Sequence, residues 1–187
     1  MGKIKSLLIV LFLSLTDISY AQPSPIDLGI QNIPQETPVW CWVAVAQQMI
    51  LHLQGPQNTP PQCALVAIAN NTHPNFCCSG APQCRVTGSL QQIRGLIAQF
   101  GGHFSSIAPP TNPMVVYNTL LSGKAIIMAV KTSPYSGHVV VIRGMAWVPT
   151  QFGYQPVLYI NDPMSYFTQP VPFQNIAAYW QAAIVVY

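Results

Sequence analysis

The side chains of this sequence best suited to chemistry are a cysteine, a histidine and an aspartate: Cys41, His138 and Asp162. A thiol attacks a carbonyl carbon when a base takes its proton, and a carboxylate can hold that base in one tautomer and orientation. These residue types therefore predict nucleophilic catalysis through a covalent intermediate. The structural alternatives are a buried cysteine, a histidine at a strand end and an Asp-Pro turn.

Cys41 stands at the start of a predicted helix. Helical spacing of apolar residues continues to residue 53, and Gly55 supplies a stop. The unpaired N–H groups and the dipole at a helix N-terminus favour negative charge. The position of Cys41 therefore favours a thiolate nucleophile. The apolar residues with this spacing are Trp42, Val45, Met49, Ile50 and Leu53.

His138 and Asp162 are predicted to meet across a β-hairpin. His138 opens the apolar run 139–145, and after a turn the apolar run 157–160 leads back to Asp162. An antiparallel hairpin centred near residue 150 brings residue 162 opposite residue 138. We therefore expect the carboxylate of Asp162 to orient the His138 imidazole.

Asn161 is the alternative to Asp162 for this orienting role. Adjacent residues of a strand point to opposite faces of the sheet, so only one of the two side chains can face His138. The register of the predicted hairpin favours Asp162.

Gln35 completes the set of candidate catalytic residues. It lies shortly before Cys41, and its side-chain amide could join the Cys41 backbone N–H in stabilising an oxyanion. One such donor typically contributes about 3 kcal/mol to transition-state stabilisation. The alternative is an exposed loop glutamine with no such role.

The elements that must position these residues fall into two groups along the chain. Helical patterns come first, and short β-branched strands bounded by Gly, Pro and Ser follow. This order predicts an α+β domain in which a helical N-terminal part packs against a C-terminal antiparallel sheet. Predicted helices cover 41–53, 59–70, 89–101 and 112–122; predicted strands cover 125–130, 139–145 and 157–160; the final stretch 176–187 adds a short helix and an edge strand.

The first residues have the pattern of an export signal. Lys3 and Lys5 precede an apolar run over 7–15, and small residues precede a cut that we place after Ala21. We therefore expect residues 1–21 to be a signal peptide and residues 22–187 to form a single secreted domain, extracellular or periplasmic. No later stretch is apolar for long enough to predict a membrane span.

Five cysteines enter this oxidising compartment, and Cys41 stands apart from the rest. The other four lie close together and are expected to form two disulfides, with the pairing left open. A zinc site built from these cysteines with His73 is the competing interpretation. The four are Cys63, Cys77, Cys78 and Cys84.

Sparse charge excludes one class of partner. The chain has 7 Lys and Arg residues and 4 Asp and Glu residues, and the basic ones are scattered singly. Nucleic-acid binding relies on clustered basic residues that neutralise phosphates. We therefore expect no nucleic-acid partner, and nothing in the sequence implies a metal or organic cofactor.

Three motifs together resemble the papain-like cysteine proteases: the segment 35–42 (QETPVWCW), Gly137-His138 before an apolar strand, and the run 161–163 (NDP). The chain looks closest to small exported bacterial members, including avirulence-type effector proteases and the leader-peptide-cleaving domains of bacteriocin exporters. The tryptophan that usually follows the orienting residue is absent, and Tyr166 lies nearby instead.

The resemblance implies a papain-like α+β fold with an active-site cleft between the helical part and the sheet. It implies that Gln35 stabilises the oxyanion, Cys41 is the nucleophile, His138 the base and Asp162 the orienter. The implied partners are a peptide or protein substrate and a protein inhibitor or immunity protein, and the expected state is a monomer. A thiol amidase or acyltransferase, for example on cell-wall peptides, and an inactive disulfide-stabilised binding domain are the alternative functions.

Overall fold

The computed structural model describes residues 22–107, 109, 112–131 and 137–187. The predicted signal peptide, residues 1–21, lies outside the described residues. Within the described part of the chain, no helix combines the length and the apolar character needed to cross a membrane.

The helices begin and end where local sequence signals place them. The first helix ends at Gly55, whose φ of 76° lies in the left-handed region that glycine adopts easily. A capping box is present at Ser89 and Gln92, and the side chain of Asn112 accepts a hydrogen bond from the Met114 N–H. The helices are α1 (Cys41–Gln54), α2 (Gln62–Ala69), α3 (Asn75–Cys78), α4 (Leu90–Gln99), α5 (Pro113–Leu121) and α6 (Phe173–Ala177).

The strands form one antiparallel sheet. Its order is β2-β7-β3-β4-β5-β6, and β1 pairs with β4 beyond the end of β3. The strands are β1 (Ile26–Asp27), β2 (Phe104–Ile107), β3 (Ala125–Lys131), β4 (Gly137–Thr150), β5 (Gly153–Asn161), β6 (Val171–Pro172) and β7 (Trp180–Val186). The predicted α+β class, with helices and an antiparallel sheet, is confirmed.

Two predictions about the sheet are wrong in detail. The last strand, β7, is an interior strand rather than an edge strand, because the short strand β2 pairs along its outer side. In the hairpin, Val141 pairs with Asn161, so Asp162 lies beyond that pair and not directly opposite His138. A bulge between Ile142 and Gly144 shifts the register.

Both faces of the sheet are covered, which explains the unbroken apolar runs of its central strands. The face that carries Val139 and Val141 packs against α1, α2 and α4. The opposite face, with Val140 and Ile142, packs against α5 and α6. The sequence predicts α5 as a helix, but it does not predict that α5 and α6 cover the far side of the sheet.

The four clustered cysteines form two disulfides, Cys63–Cys78 and Cys77–Cys84. The first bond joins α2 to α3, and the second ties the end of α3 to the segment that leads to α4. Their thiols are therefore used in these bonds rather than left for a zinc site with His73.

Candidate active site

Cys41 is the first residue of α1 and has a free thiol. Its backbone N–H belongs to the first turn, where N–H groups have no acceptor within the helix. The two tryptophans beside it fix the start of the helix: the Trp40 indole donates to the Cys84 carbonyl at 2.9 Å, and the Trp42 indole donates to the Val86 carbonyl at 3.2 Å. The disulfide-bonded segment is thereby held next to Cys41.

A cleft of about 610 Å³ opens at this point. Cys41 and Trp42 from α1, His138 and Val139 from β4, and the segment 87–90 contribute to its lining. None of the described lining residues is an Asp, Glu, Lys or Arg. The cleft therefore offers an uncharged surface around one thiol and one imidazole.

His138 lies at the start of β4, and Asp162 follows the end of β5. His138 Nε2 donates to Asp162 Oδ1 at 2.6 Å, and both residues are buried, at 3% and 1% exposed. The shifted register still allows this contact, because a shift by an even number of residues keeps both side chains on one face. Asn161 points away from His138, and its amide donates to the Ile30 carbonyl at 2.8 Å.

The residues after Asp162 wrap around its carboxylate. The Met164 N–H donates to Oδ1 at 2.8 Å, and the N–H groups of Tyr166 and Phe167 donate to Oδ2 at 2.8 and 3.1 Å. Ser165, with a φ of 59°, makes the tight turn that aims these groups inwards. The loop therefore holds the Asp162 carboxylate in the position from which it contacts His138.

The electrostatics of the pair follow from burial and hydrogen bonding. Burial by itself disfavours the imidazolium and is the largest single influence, but Asp162 and then Cys41 outweigh it and raise the pKa of His138 to about 9. Burial also opposes ionisation of Asp162, yet the His138 contact and the backbone N–H bonds hold its pKa below the usual value. The site therefore favours a charged imidazolium–carboxylate pair at neutral pH.

The second ring nitrogen of His138 is the one available for proton transfer. Nδ1 is buried and has no hydrogen-bond partner among the described residues. The Cys41 thiol is close enough to raise the pKa of His138. With Nε2 held by Asp162, Nδ1 is the ring atom that can exchange a proton with Cys41.

Gln35 contacts the residue that follows Asp162 but is not part of the cleft lining. Its backbone N–H donates to the Pro163 carbonyl at 3.1 Å, and its side-chain Nε2 donates to the Thr37 carbonyl at 2.7 Å. The amide nitrogen has a second hydrogen. The structure thus brings Cys41, His138 and Asp162 together and places Gln35 on the segment that enters α1.

Tyr166 is a site residue that the sequence reasoning did not identify as functional. Its ring packs edge-on against the His138 ring, with centroids 5.8 Å apart. An aromatic ring here covers the imidazole in place of the missing tryptophan. The signal in the sequence that could identify Tyr166 is an aromatic residue shortly after Asp162.

Gly88 is a second lining residue that the sequence reasoning missed. A Cβ atom on Gly88 would lie 2.1 Å from Trp42 Cδ2, so only glycine allows this close approach. The backbone at Gly88 therefore lies against the Trp42 ring, and both residues line the cleft.

The comparison with known families agrees with this geometry. The model of the Peptidase_C39 like family matches residues 27–184, a span that includes Gln35, Cys41, His138 and Asp162. A search of curated proteins finds no match. Because the match covers most of the chain, the protein belongs to the Peptidase_C39 like family of papain-like cysteine peptidases.

Proposed function

We propose that this protein hydrolyses peptide bonds through an acyl-enzyme formed on Cys41. The observation that supports the proposal is the placement of His138, which Asp162 holds through Nε2 while Nδ1 remains available to the thiol. The carboxylate of Asp162 itself accepts three backbone N–H bonds, which hold it in position to orient the imidazole. The family membership adds a peptide as the substrate class.

In the proposed reaction, the proton of Cys41 resides on His138 Nδ1 before attack, and the thiolate sulfur attacks the carbonyl carbon of the substrate. The new S–C bond pushes the carbonyl electron pair onto oxygen, where the Cys41 backbone N–H and the Gln35 amide stabilise it. The imidazolium then protonates the leaving amine as the C–N bond breaks. Water activated by His138 hydrolyses the thioester and restores the thiol.

The proposal includes secretion of a single domain, residues 22–187, after removal of residues 1–21. The two disulfides support it, since such bonds persist in oxidising compartments and are rare in the cytosol. An exported effector-type peptidase that acts as a monomer, with an inhibitor or immunity protein as partner, is the finer form of the proposal.

The test is a screen of the mature protein and its Cys41→Ala variant against a library of quenched fluorescent peptides. We expect the wild type to cleave peptides and the variant to fall to background, with a thioester adduct on Cys41 detected by mass spectrometry. Cleavage that persists in Cys41→Ala contradicts the proposal. If the only products are amine-linked peptides or cell-wall fragments, the activity is that of a transferase or an amidase and not peptide hydrolysis.

A further inference from the structure

Gln62, in α2, is a buried amide whose hydrogen-bonding atoms are all engaged. It is 0% exposed. Its Oε1 accepts from the Glu36 N–H at 2.9 Å, and its Nε2 donates to the Pro34 carbonyl at 2.8 Å and to Gln47 Oε1 at 3.2 Å. Burying an amide costs free energy unless such bonds are made, and a fully satisfied amide fixes its partners in place.

The two backbone partners of Gln62 flank Gln35. The Gln62 side-chain amide therefore pairs with the Pro34 carbonyl and the Glu36 N–H, as the backbone of a neighbouring β-strand would. The segment 31–37 has no regular secondary structure, so its backbone depends on such side chains for partners. Gln62 fixes the backbone from which the Gln35 side chain extends.

A second buried glutamine, Gln48 in α1, extends this support. Its Nε2 donates to Asn32 Oδ1 and to the Ile33 carbonyl, both at 3.1 Å. Asn32 in turn donates to the Asp162 backbone carbonyl at 3.2 Å. The segment before Cys41 is therefore connected to both helices and to the residue that orients His138.

We infer that Gln62 is a positioning residue that holds Gln35 where its amide can stabilise the oxyanion. The inference rests on the proposed function, because it requires Gln35 to act on a tetrahedral intermediate. Gln62 itself does not line the cleft, so it acts through Gln35 and not on the substrate.

The test uses Gln62→Met, which keeps the length of the side chain and removes its amide. The control is Gln91→Ala, an exposed glutamine on α4. Two probes separate oxyanion stabilisation from thiol reactivity. An N-acetylated dipeptide aldehyde with apolar side chains takes up the Cys41 thiol across its C=O bond: an S–C bond forms and the proton goes to the oxygen in the oxyanion position. Iodoacetamide alkylates the thiol by displacing iodide and forms no oxyanion.

We expect Gln62→Met to bind the aldehyde at least about tenfold more weakly, a part of the 10²- to 10³-fold effect of losing an oxyanion donor. The iodoacetamide rate should stay within about twofold of the wild type, since thiol activation does not depend on Gln35. Gln35→Ala should show the same pattern. Adding Gln62→Met to Gln35→Ala should weaken aldehyde binding no further, because coupled residues are non-additive.

Aldehyde affinity equal to the wild type in a folded Gln62→Met protein overturns the inference, and so does an additive loss in the double variant. A parallel loss of iodoacetamide reactivity also overturns it, because Gln62 would then support α1 rather than Gln35. Circular dichroism establishes folding, and Gln62→Asn serves as the second variant if Gln62→Met does not fold. If the wild type forms no aldehyde adduct on Cys41, the proposed function fails instead.

Discussion

Replacing Asp162 by Asn should lower the pKa of His138 sharply. The substitution preserves the side-chain shape but removes the charge that His138 Nε2 contacts at 2.6 Å. Asp162 is the main group that raises the pKa of His138 from 6.5 to about 9, against the opposing effect of burial. That rise corresponds to about 3 kcal/mol of preference for the imidazolium. With only Cys41 left to oppose burial, the pKa of His138 should fall well below 9.

The measurement is an NMR titration of protein labelled with ¹³C-histidine, in which the His138 signal is identified from a His138→Gln variant. The wild-type imidazole should titrate near pH 9, and the Asp162→Asn imidazole at a clearly lower pH. Asp27→Asn is the matched control, because Asp27 pairs with Arg143 away from the cleft. Its His138 titration should match the wild type.

The same pair predicts how stability depends on pH. Because the folded pKa of His138 exceeds the unfolded value, its contribution is fully present below pH 6.5 and is lost as pH rises through about 9. Asp162 has a lowered pKa, so its contribution is lost as pH falls below the ordinary value of 3.8. An Asp162→Asn protein whose His138 still titrates near pH 9 would refute this electrostatic reasoning.

Two further substitutions test the walls of the cleft. Gly88→Ala forces a Cβ to within 2.1 Å of the Trp42 ring and should destabilise the protein by about 1–3 kcal/mol in urea unfolding. Gly95→Ala, with nothing within 4 Å of the new Cβ, should be neutral or stabilising by up to about 1 kcal/mol, and equal stability of the two variants would contradict the packing argument. Tyr166→Ala removes the edge-on contact with His138 and should lower kcat/KM about fivefold, for a contact worth about 1 kcal/mol, whereas Tyr166→Phe should match the wild type. A Tyr166→Ala enzyme as active as the wild type would rule out that role.

The contact between His138 and Asp162 could be predicted although the register of the hairpin was wrong, because strand periodicity keeps residues two positions apart on the same face. The turn of the hairpin lies beyond residue 150 and displaces the pairs by three residues from the predicted register, and the bulge in β4 reduces this displacement to two. The displacement kept Asp162 on the same face as His138, while Asn161 remained on the other. A shift by an odd number of residues would have exchanged their places.

The start of α1 and the caps of α4 and α5 were predictable because local residues determine them. The position of β7 in the sheet was not, since it depends on β2, a strand of four residues that pairs with a distant part of the chain. The disulfide pairing could not be predicted either, because Cys77 and Cys78 are adjacent and sequence alone cannot distinguish their partners.

The role of Gln62 in supporting the candidate site could not be predicted from the sequence either. Gln62 lies far along the chain from the segment it holds, and glutamine is common on protein surfaces. Only the folded structure shows that this side chain is buried and that its partners flank Gln35. The catalytic role of Gln35 stays a prediction that the aldehyde experiment addresses.

Alkylation of the folded protein with iodoacetamide at mildly acidic pH tests whether Cys41 is an activated nucleophile. An unreduced digest analysed by mass spectrometry reports all five cysteines at once. We expect rapid labelling of Cys41 alone, at a pH where a free cysteine with a pKa of about 8.5 reacts slowly, with the Cys63–Cys78 and Cys77–Cys84 peptides still linked. Labelling of Cys41 no faster than a free cysteine, or Cys41 found in a disulfide, would contradict it.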